Sequence, residues 1–324
     1  MSSPSYNHIG FIGLGAMGIP MVGNLLRKLP DSCKILVYDV SKEAMAKVAG
    51  GNSRVRICGN SKEVAEESEV IISMVPEGSH VRSVYLTPET SILAANVSGK
   101  LLVDCSTIDT ATSLEVRDEC LKRYSNASFY DAPVSGGALG AEKGTLTFMV
   151  GCSEEDSKWK ELRPLLGLMG SSIIACGGPS FGLTAKLCNN YCSALIAIAT
   201  SEAMDIGMRA GMDPRVLASV FKTSTAQSAI ADKFNPVPGL SPDAPPSHGY
   251  KGGFKVQLMK KDFGLAVDTA KRVGAKTVLS DVGLRTYEEA SSDSRCKDLD
   301  SRVVYRYLGG REDWMKNFGE GNKL

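Results

Sequence analysis

The chain has 324 residues, of which 43% are hydrophobic and 23% are charged. A chain of this length usually forms two domains of roughly 100–200 residues each, and its hydrophobic content excludes a largely disordered protein. Lys and Arg number 37 against 36 Asp and Glu, which leaves a formal net charge of +1. A nearly neutral protein has no overall attraction to nucleic acid or to an anionic membrane, so we expect neither as a partner.

The cysteines and the N-terminus indicate the compartment. Nine cysteines and three histidines are present without a CxxC pair, so we expect no metal site and free thiols in a reducing compartment. No apolar run approaches the ~20 residues that span a bilayer. The first seven residues resemble neither a signal peptide nor an Arg-rich transit peptide. The protein is therefore predicted either to be cytoplasmic or to have lost a presequence.

Short apolar runs alternate with helical patterns through the first half of the chain. This alternation is typical of βαβ units around a parallel sheet. The run from Glu69 to Val75 is apolar nearly throughout, as expected for a central strand covered on both faces. The predicted strands are His8–Ile12, Lys34–Tyr38, Arg54–Ile57, Val70–Met74, Leu101–Asp104, Ser128–Asp131, Thr145–Val150 and Ser172–Ala175.

The second half of the chain is predicted to be helical. One long helix runs from about Phe181 to Ala210, Gly211 ends it, and Asp213-Pro214 begins the next helix. Further helical patterns cover Val216–Phe221, Val256–Val273 and Thr277–Ser291. The Pro- and Gly-rich segment 235–253 lies between them, and loops of that length are usually functional or mobile. We predict an α/β domain over residues 1–178, and a long joining helix with an all-helical domain over residues 179–324.

A glycine motif follows the first strand directly and precedes an amphipathic helix over Met17–Lys28. In this setting the first glycine allows a tight turn, the second allows close approach to a pyrophosphate, and the third allows close packing of helix and strand. The pattern predicts a Rossmann-type dinucleotide-binding domain, and the alternative is merely a tight turn between strand and helix. The motif residues are Gly13, Leu14, Gly15, Ala16, Met17 and Gly18.

Asp39, at the end of the second predicted strand, indicates which dinucleotide binds. A carboxylate there accepts hydrogen bonds from the adenosine ribose hydroxyls and repels the 2′-phosphate of NADP. Lys42 is close in sequence, but it does not remove the carboxylate. We therefore expect NAD as the cofactor.

Three later segments carry polar residues that packing does not explain. In Asp131–Gly137, paired glycines beside Ser135 can expose N–H groups to an anion such as a carboxylate; the alternative is an ordinary Gly-rich loop. Lys186 and Asn190 lie four residues apart, on one face of the long helix. Partial burial would lower the pKa of Lys186 toward the range useful for proton transfer, whereas a solvated pair would have no such role. Adjacent lysines at 260 and 261 usually form a solvated face.

Taken together, these motifs resemble the β-hydroxyacid dehydrogenase family. The motifs are Gly10–Gly18, Asp131–Gly137, Lys186 with Asn190, and Lys261-Asp262, so the resemblance covers nearly the whole chain. Segments 235–239 and 250–254 are similar to the branch of the family that acts on 3-hydroxyisobutyrate. The resemblance implies NAD-dependent oxidation of this hydroxyacid to methylmalonate semialdehyde, a mitochondrial matrix location if a presequence was removed, and a homodimer or homotetramer.

The resemblance also implies roles for individual residues. Lys186 would be the catalytic acid and base, Asn190 would hold the substrate, and Ser135, Gly136 and Gly137 would bind its carboxylate. Lys261 would close over cofactor and substrate, and Val75, Pro76, His80 and Thr107 would line the nicotinamide side. His80 stands where the family pattern has Asn, which puts its cofactor contact in doubt; on chemistry alone it could instead serve as the base.

Two other functions remain open at this stage. One is a related enzyme that acts on another small hydroxyacid or semialdehyde, such as a succinic or tartronate semialdehyde reductase. The other is a non-catalytic dinucleotide-binding protein, although Lys186, Asn190 and Ser135 together argue against it. A phosphorylated sugar acid is disfavoured as substrate because no Arg/Lys cluster accompanies the substrate motifs.

Overall fold

The computed structural model describes residues 6–318, except for the side chain of Asn317. Two compact units divide after Lys186, the first ending there and the second beginning at Leu187. The sequence-derived boundary, between residues 178 and 179, lies eight residues earlier. Predictions about residues 1–5 and 319–324, including part of the N-terminal segment assessed for targeting, fall outside the described residues.

The first unit contains a six-stranded parallel sheet in the order β3-β2-β1-β4-β5-β6. This strand order is that of a Rossmann-type domain, in which ligands bind beyond the carboxyl ends of the strands. Four predicted strands have the observed bounds, and β3 and β4 are each one residue shorter than predicted. The strands are β1 (His8–Ile12), β2 (Lys34–Tyr38), β3 (Val55–Ile57), β4 (Val70–Ser73), β5 (Leu101–Asp104) and β6 (Ser128–Asp131).

Both faces of this sheet are covered by hydrophobic cores. On one face Ile9 and Phe11 belong to one core cluster, and on the other Ile12 and Ile71 belong to a second; all four are essentially inaccessible to solvent. This explains why the central strands are almost continuously apolar. The connecting helices are α1 (Gly18–Lys28), α2 (Lys42–Ala49), α3 (Ser61–Glu67), α4 (Gly78–Leu86) and α5 (Thr110–Arg123).

A second sheet of three strands completes the first unit. Its strands β7 (Val134–Ser135) and β8 (Leu146–Val150) are antiparallel, and β9 (Gly170–Ala175) runs parallel to β8. The strands predicted at Thr145–Val150 and Ser172–Ala175 thus correspond to β8 and β9, which form this separate sheet and do not extend the large one. The two-residue β7 was missed because it is too short to show a hydrophobic period. Helices α6 (Gly137–Lys143) and α7 (Trp159–Gly167) connect the strands.

Every regular element described after β9 is helical, apart from one isolated bridge between Lys255 and Asp300. Residues 235–253 are not an open loop, because Asn235, Val237 and Tyr250 are buried and a 3₁₀ turn spans Pro245–His248. The helices are α8 (Phe181–Arg209), α9 (Pro214–Thr223), α10 (Ala229–Lys233), α11 (Val256–Arg272), α12 (Ser280–Ser292), α13 (Val304–Tyr307) and α14 (Met315–Phe318). Among the described helices, none combines the length and apolar character needed to cross a bilayer.

Candidate functional site

The carboxyl ends of four neighbouring strands bring most of the predicted cofactor residues to one edge of the sheet. The glycine motif follows β1, Asp39 follows β2, Val75 follows β4 and Thr107 follows β5. These strands are parallel and adjacent, in the order β2-β1-β4-β5, so the residues after them share an edge. In sheets of this type, that edge is where a ligand binds.

Within the motif, the three glycines meet different surroundings. Gly13 has a φ of +96°, and a Cβ there would overlap the carbonyl oxygen of Met74. A Cβ at Gly18 would overlap the carbonyl oxygen of Gly13. A Cβ at Gly15, in contrast, would have no heavy atom within 4 Å, and both Gly15 and Ala16 are exposed. The backbone packing therefore requires glycine at positions 13 and 18. At Gly15 the absence of a side chain leaves open space at the surface of the loop.

This space adjoins the N-terminus of α1. Met17 precedes the helix, and neither its side chain nor an acidic residue in the first turn supplies a cap. The first N–H groups of a helix and the positive end of its dipole favour an anion. The open surface at Gly15 and this helix end therefore fit the pyrophosphate of a dinucleotide.

Asp39 lies against the glycine motif. Its Oδ2 accepts a hydrogen bond from the Leu14 N–H at 2.6 Å, and its Oδ1 accepts one from the Ser41 N–H at 2.7 Å. The side chain is half-buried. Because each carboxylate oxygen can accept two hydrogen bonds, capacity remains for the ribose hydroxyls of a nucleotide.

The loops after β4 and β5 contact each other through Ser106. The Val75 N–H donates a hydrogen bond to Ser106 Oγ at 2.9 Å, which joins the two loops. Val75 and Thr107 are half-buried, whereas Pro76 and His80 are exposed, with His80 in the first turn of α4. The structure thus brings Val75 and Thr107 to neighbouring loops and leaves the His80 side chain at the surface.

A buried polar cluster, centred on Asp104, lies at the ends of β4 and β5. Asp104 Oδ1 accepts hydrogen bonds from Ser73 Oγ and Ser106 Oγ, both at 2.7 Å, and Ser73 Oγ also lies 2.9 Å from the Tyr85 hydroxyl. Burial raises the pKa of Asp104 to about 6, although the serine hydrogen bonds oppose that change. Sequence reasoning missed this cluster; a serine within an otherwise apolar strand was the available signal.

The segment predicted to bind a carboxylate lies at the end of β7. Ser135 is half-buried and pairs in register with Thr147 of β8. Gly136 and Gly137 have φ values of +131° and +62°, in the region that favours glycine. A Cβ at Gly137 would meet no atom within 4 Å. The positive φ values and the open space at Gly137 are compatible with the predicted anion-binding turn.

Lys186 and Asn190 occupy successive turns of α8. Their exposed fractions are 7% and 6%, which agrees with the predicted burial of Lys186 and excludes the alternative of a solvated pair. In the second unit, Asn190 Nδ2 donates to Asp262 Oδ2 at 2.6 Å, and Lys261 Nζ lies 3.1 Å from Asp262 Oδ1. Asp262, which is 2% exposed, thus holds two predicted site residues together. The sequence included it in a motif but assigned it no role.

No group of three or more His, Cys, Asp or Glu side chains that could hold a metal ion occurs within residues 6–318. The cysteines described there are all free thiols. The functional groups that the predicted site residues contribute are an amine, carboxylates, hydroxyls, an amide and backbone N–H groups.

Two family profiles match consecutive parts of the chain. Residues 8–178 match the NAD-binding domain of 6-phosphogluconate dehydrogenase. Residues 181–308 match a domain described as the NAD-binding domain of NADP-dependent 3-hydroxyisobutyrate dehydrogenase.

Individual proteins are similar over almost their whole length. A probable mitochondrial 3-hydroxyisobutyrate dehydrogenase of Dictyostelium discoideum is 41% identical, over 99% of this chain and 95% of its own. The mitochondrial 3-hydroxyisobutyrate dehydrogenase of Rattus norvegicus is 38% identical, over 96% of this chain and 90% of its own. The structure of Mycobacterium tuberculosis 3-hydroxyisobutyrate dehydrogenase with L-serine superposes with a TM-score of 0.85, at 33% identity, over 94% of this chain and 99% of the other.

Proposed function

The chain belongs to the 3-hydroxyisobutyrate dehydrogenase family, and from this we propose that it oxidises 3-hydroxyisobutyrate to methylmalonate semialdehyde with NAD, a step of valine catabolism. The observation that carries the proposal is full-length similarity to enzymes of that name, at 41% identity over 99% of this chain. The two matched domains together span nearly all the described residues.

NAD fits the carboxyl edge of the large sheet. The open surface at Gly15 and the uncapped start of α1 suit its pyrophosphate, and Asp39 suits its adenosine ribose. Leu14, Ala16 and Met17, the other residues of the glycine motif, would complete the loop that holds the phosphates. When bound, NAD supplies a nicotinamide ring that accepts a hydride from the alcohol carbon of the substrate.

Lys186 is the proposed acid and base. In the oxidation direction its neutral amine accepts the proton of the substrate hydroxyl, and in the reverse direction its ammonium returns that proton. Its 7% exposure supports this role, because bulk water has little access to the side chain.

The proposed substrate carboxylate site is formed by the Ser135 hydroxyl and the turn at Gly136 and Gly137. A carboxylate fits there because the side-chain donor and the glycine N–H groups can bind it together. Asn190 would hold the substrate, and its hydrogen bond to Asp262 fixes the orientation of its amide.

We place the nicotinamide side of the cofactor against Val75, Pro76 and Thr107. The hydrogen bond from Val75 to Ser106 supports this, because it keeps the two loops together. Lys261 is proposed as a further cofactor residue, and its ion pair with Asp262 orients its side chain. His80 is exposed in the first turn of α4, so any contact of its side chain with the cofactor would be made at the protein surface.

Initial rates with a substrate panel test the proposal. We expect the highest kcat/KM with 3-hydroxyisobutyrate and NAD, compared with L-serine, 3-hydroxypropionate, glycerate and the reduction of succinic and tartronate semialdehydes, each with both cofactors. L-serine is informative because it accompanies the M. tuberculosis relative and is itself a β-hydroxyacid. A higher kcat/KM with another substrate would assign the chain to a related activity. NAD binding without turnover of any of these compounds would identify a non-catalytic binding protein.

We also propose a homodimer or homotetramer. Val278, Leu279 and Val282, at the start of α12, are each more than half exposed, and clustered apolar side chains of this kind favour association. Sedimentation equilibrium of the purified protein tests this, and a monomer at micromolar concentration would contradict it.

A mitochondrial matrix location is proposed from the names of the Dictyostelium and rat relatives. Fractionation of the source cells, followed with a matrix marker enzyme, tests it. Recovery of the activity in the cytosolic fraction would contradict it.

A further inference from the structure

Asp131 caps the helix that carries Lys186, although it lies on a different element. It is the last residue of β6 and is 2% exposed. Its Oδ1 accepts a hydrogen bond from the Ser180 N–H, and its Oδ2 accepts one from the Leu183 N–H, both at 2.8 Å. A carboxylate from the sheet therefore binds the first turn of α8.

The position of Asp131 is that of a helix cap. The Ser180 carbonyl accepts the first helical hydrogen bond, from the Thr184 N–H at 3.0 Å, which makes Ser180 the N-cap residue of α8. An N-cap side chain normally bonds the N–H two or three residues later, which includes Leu183. The Ser180 hydroxyl instead donates to the Thr110 carbonyl oxygen at 3.4 Å. Asp131 thus accepts the hydrogen bond from the Leu183 N–H that the Ser180 side chain would normally accept.

Two neighbouring glycines leave the space that this carboxylate occupies. A Cβ at Gly151 would overlap Asp131 Oδ1, and one at Gly182 would lie 2.8 Å from Oδ2. Ser180 has a φ of +66°, a conformation that is strained for a non-glycine residue and persists only where its surroundings impose it. The contact between β6 and α8 is therefore specific.

Asp131 also begins the segment that leads to the proposed carboxylate site. Ser135 pairs with Thr147 on β8, and the Gly151 N–H, just after β8, donates to the Asp131 carbonyl oxygen at 2.8 Å. On α8, Lys186 lies three residues after Leu183, which is about one helical turn. The same residue is thus bonded to the strand beside the anion site and to the turn that precedes Lys186.

We propose that Asp131 is a positioning residue for the reaction: by capping α8 from the end of β6, it fixes Lys186 relative to the Ser135–Gly137 turn. This inference rests on the proposed role of Lys186. Asp131 itself contacts neither substrate nor cofactor in this scheme. Without its carboxylate, α8 can shift by a fraction of an ångström, which misplaces the amine with respect to the substrate hydroxyl.

The primary test is Asp131→Asn, which keeps the shape but replaces one acceptor oxygen with a donor. We expect kcat with 3-hydroxyisobutyrate to fall by about 10- to 100-fold, with KM changed less than about threefold and the NAD dissociation constant less than about twofold. Asp131→Ser, which keeps one small acceptor, is the second variant if Asp131→Asn does not fold. Asp213→Asn is the matched control, because Asp213 caps α9, which carries no proposed site residue; we expect it to keep wild-type kcat.

A double-mutant cycle with Lys186→Ala distinguishes positioning from a general loss of structure. If Asp131 acts through Lys186, adding Asp131→Asn to Lys186→Ala lowers kcat by less than about twofold. A further loss as large as in the wild-type background would overturn the proposal, as would a raised KM with unchanged kcat. Wild-type protein without dehydrogenase activity would instead contradict the proposed function, so the two failures are distinct.

Discussion

Asp104 and Asp131 are register partners at the carboxyl ends of the adjacent parallel strands β5 and β6. Both side chains are almost completely buried, and burial raises the pKa of both carboxyls. The charge of Asp131 raises the pKa of Asp104 further. They bond to different partners: Asp104 to Ser73 at the end of β4 and to Ser106 in the loop after β5, and Asp131 to the start of α8. Two adjacent strand ends thus support two parts of the proposed site.

The first prediction concerns the pH dependence of stability. The pKa of Asp104 rises from 3.8 to about 6, so between these pH values the folded state binds more protons at this group than the unfolded state. Its ionisation therefore opposes folding above pH 6, and this cost decreases as the pH falls. Relative to Asp104→Asn, the wild-type free energy of unfolding should rise by on the order of 1 kcal/mol from pH 7 to pH 5.

Urea denaturation at pH 5, 6 and 7 measures this difference. Asp118→Asn, which changes an exposed carboxylate on α5, is the control and should follow the wild type. A constant difference between wild type and Asp104→Asn across this range would show that Asp104 does not titrate there.

The second prediction concerns cofactor choice at Asp39. Asp39→Ala should weaken NAD binding and narrow its advantage over NADP, but it also removes the acceptor of the Leu14 N–H. Asp39→Asn keeps an acceptor oxygen and removes only the charge, so its effect isolates repulsion of the 2′-phosphate. We expect the ratio of NADP to NAD dissociation constants to fall by roughly tenfold or more.

Fluorescence titration with both cofactors provides these constants. Asp31→Asn, an exposed carboxylate at the opposite end of β2, should leave the ratio unchanged. Preference of the wild type for NADP would refute the role given to Asp39.

The third prediction concerns the carboxylate site. Ser135→Ala should raise the KM of the hydroxyacid about 10- to 100-fold, because a hydrogen bond to a charged group is lost, and leave the NAD dissociation constant unchanged. Gly136→Ala should raise KM as well, but its φ of +131° strains any other residue, so its melting temperature must be measured alongside.

Steady-state kinetics with isothermal NAD titration separates the two effects. Ser98→Ala, an exposed serine in the loop before β5, serves as the control. If Ser135→Ala weakened NAD and left KM unchanged, the turn would belong to the cofactor site.

The fourth prediction concerns the proton acceptor. Lys186→Ala should fold and bind NAD, since the glycine motif does not involve this side chain, while kcat falls by roughly 10²–10⁴. Lys186→Arg should not restore activity, because a guanidinium remains protonated. Wild-type kcat should rise with pH through one ionisation, because only the neutral amine can accept a proton.

A pH–rate profile of the three proteins checks this prediction. Lys160→Ala, an exposed lysine on α7, should match the wild type. If Lys186→Ala kept more than about a tenth of the wild-type kcat, Lys261 or His80 would be the next residue to test.

Local patterns in the sequence predict most of the fold. The strand bounds of β1, β2, β5 and β6 and the extent of α8 follow from hydrophobic period and helix signals, which depend on near neighbours. The second sheet does not follow, because β7 has two residues and its strand pairing reverses direction. Short strands are specified by their partners rather than by their own period.

The residues that support the site could not be predicted from the sequence, for a related reason. Ser73 and Asp104 lie 31 residues apart, and Asp131 and Leu183 lie 52 residues apart. A motif can indicate Lys186 or Gly15, whose chemistry is visible in the residue type. A buried carboxylate that holds another element acquires its role only from the tertiary fold.

The contrast among the three motif glycines has a consequence for recognising lost activity. The fold itself requires Gly13 and Gly18, since a side chain at either would overlap backbone atoms, but no neighbouring atom restricts Gly15. A descendant that abandoned its nucleotide would still be selected to retain the outer two glycines and would be free to drift at the middle one. Residue 15 is therefore a position at which a family member that no longer binds the nucleotide could differ from a working enzyme without a change of fold.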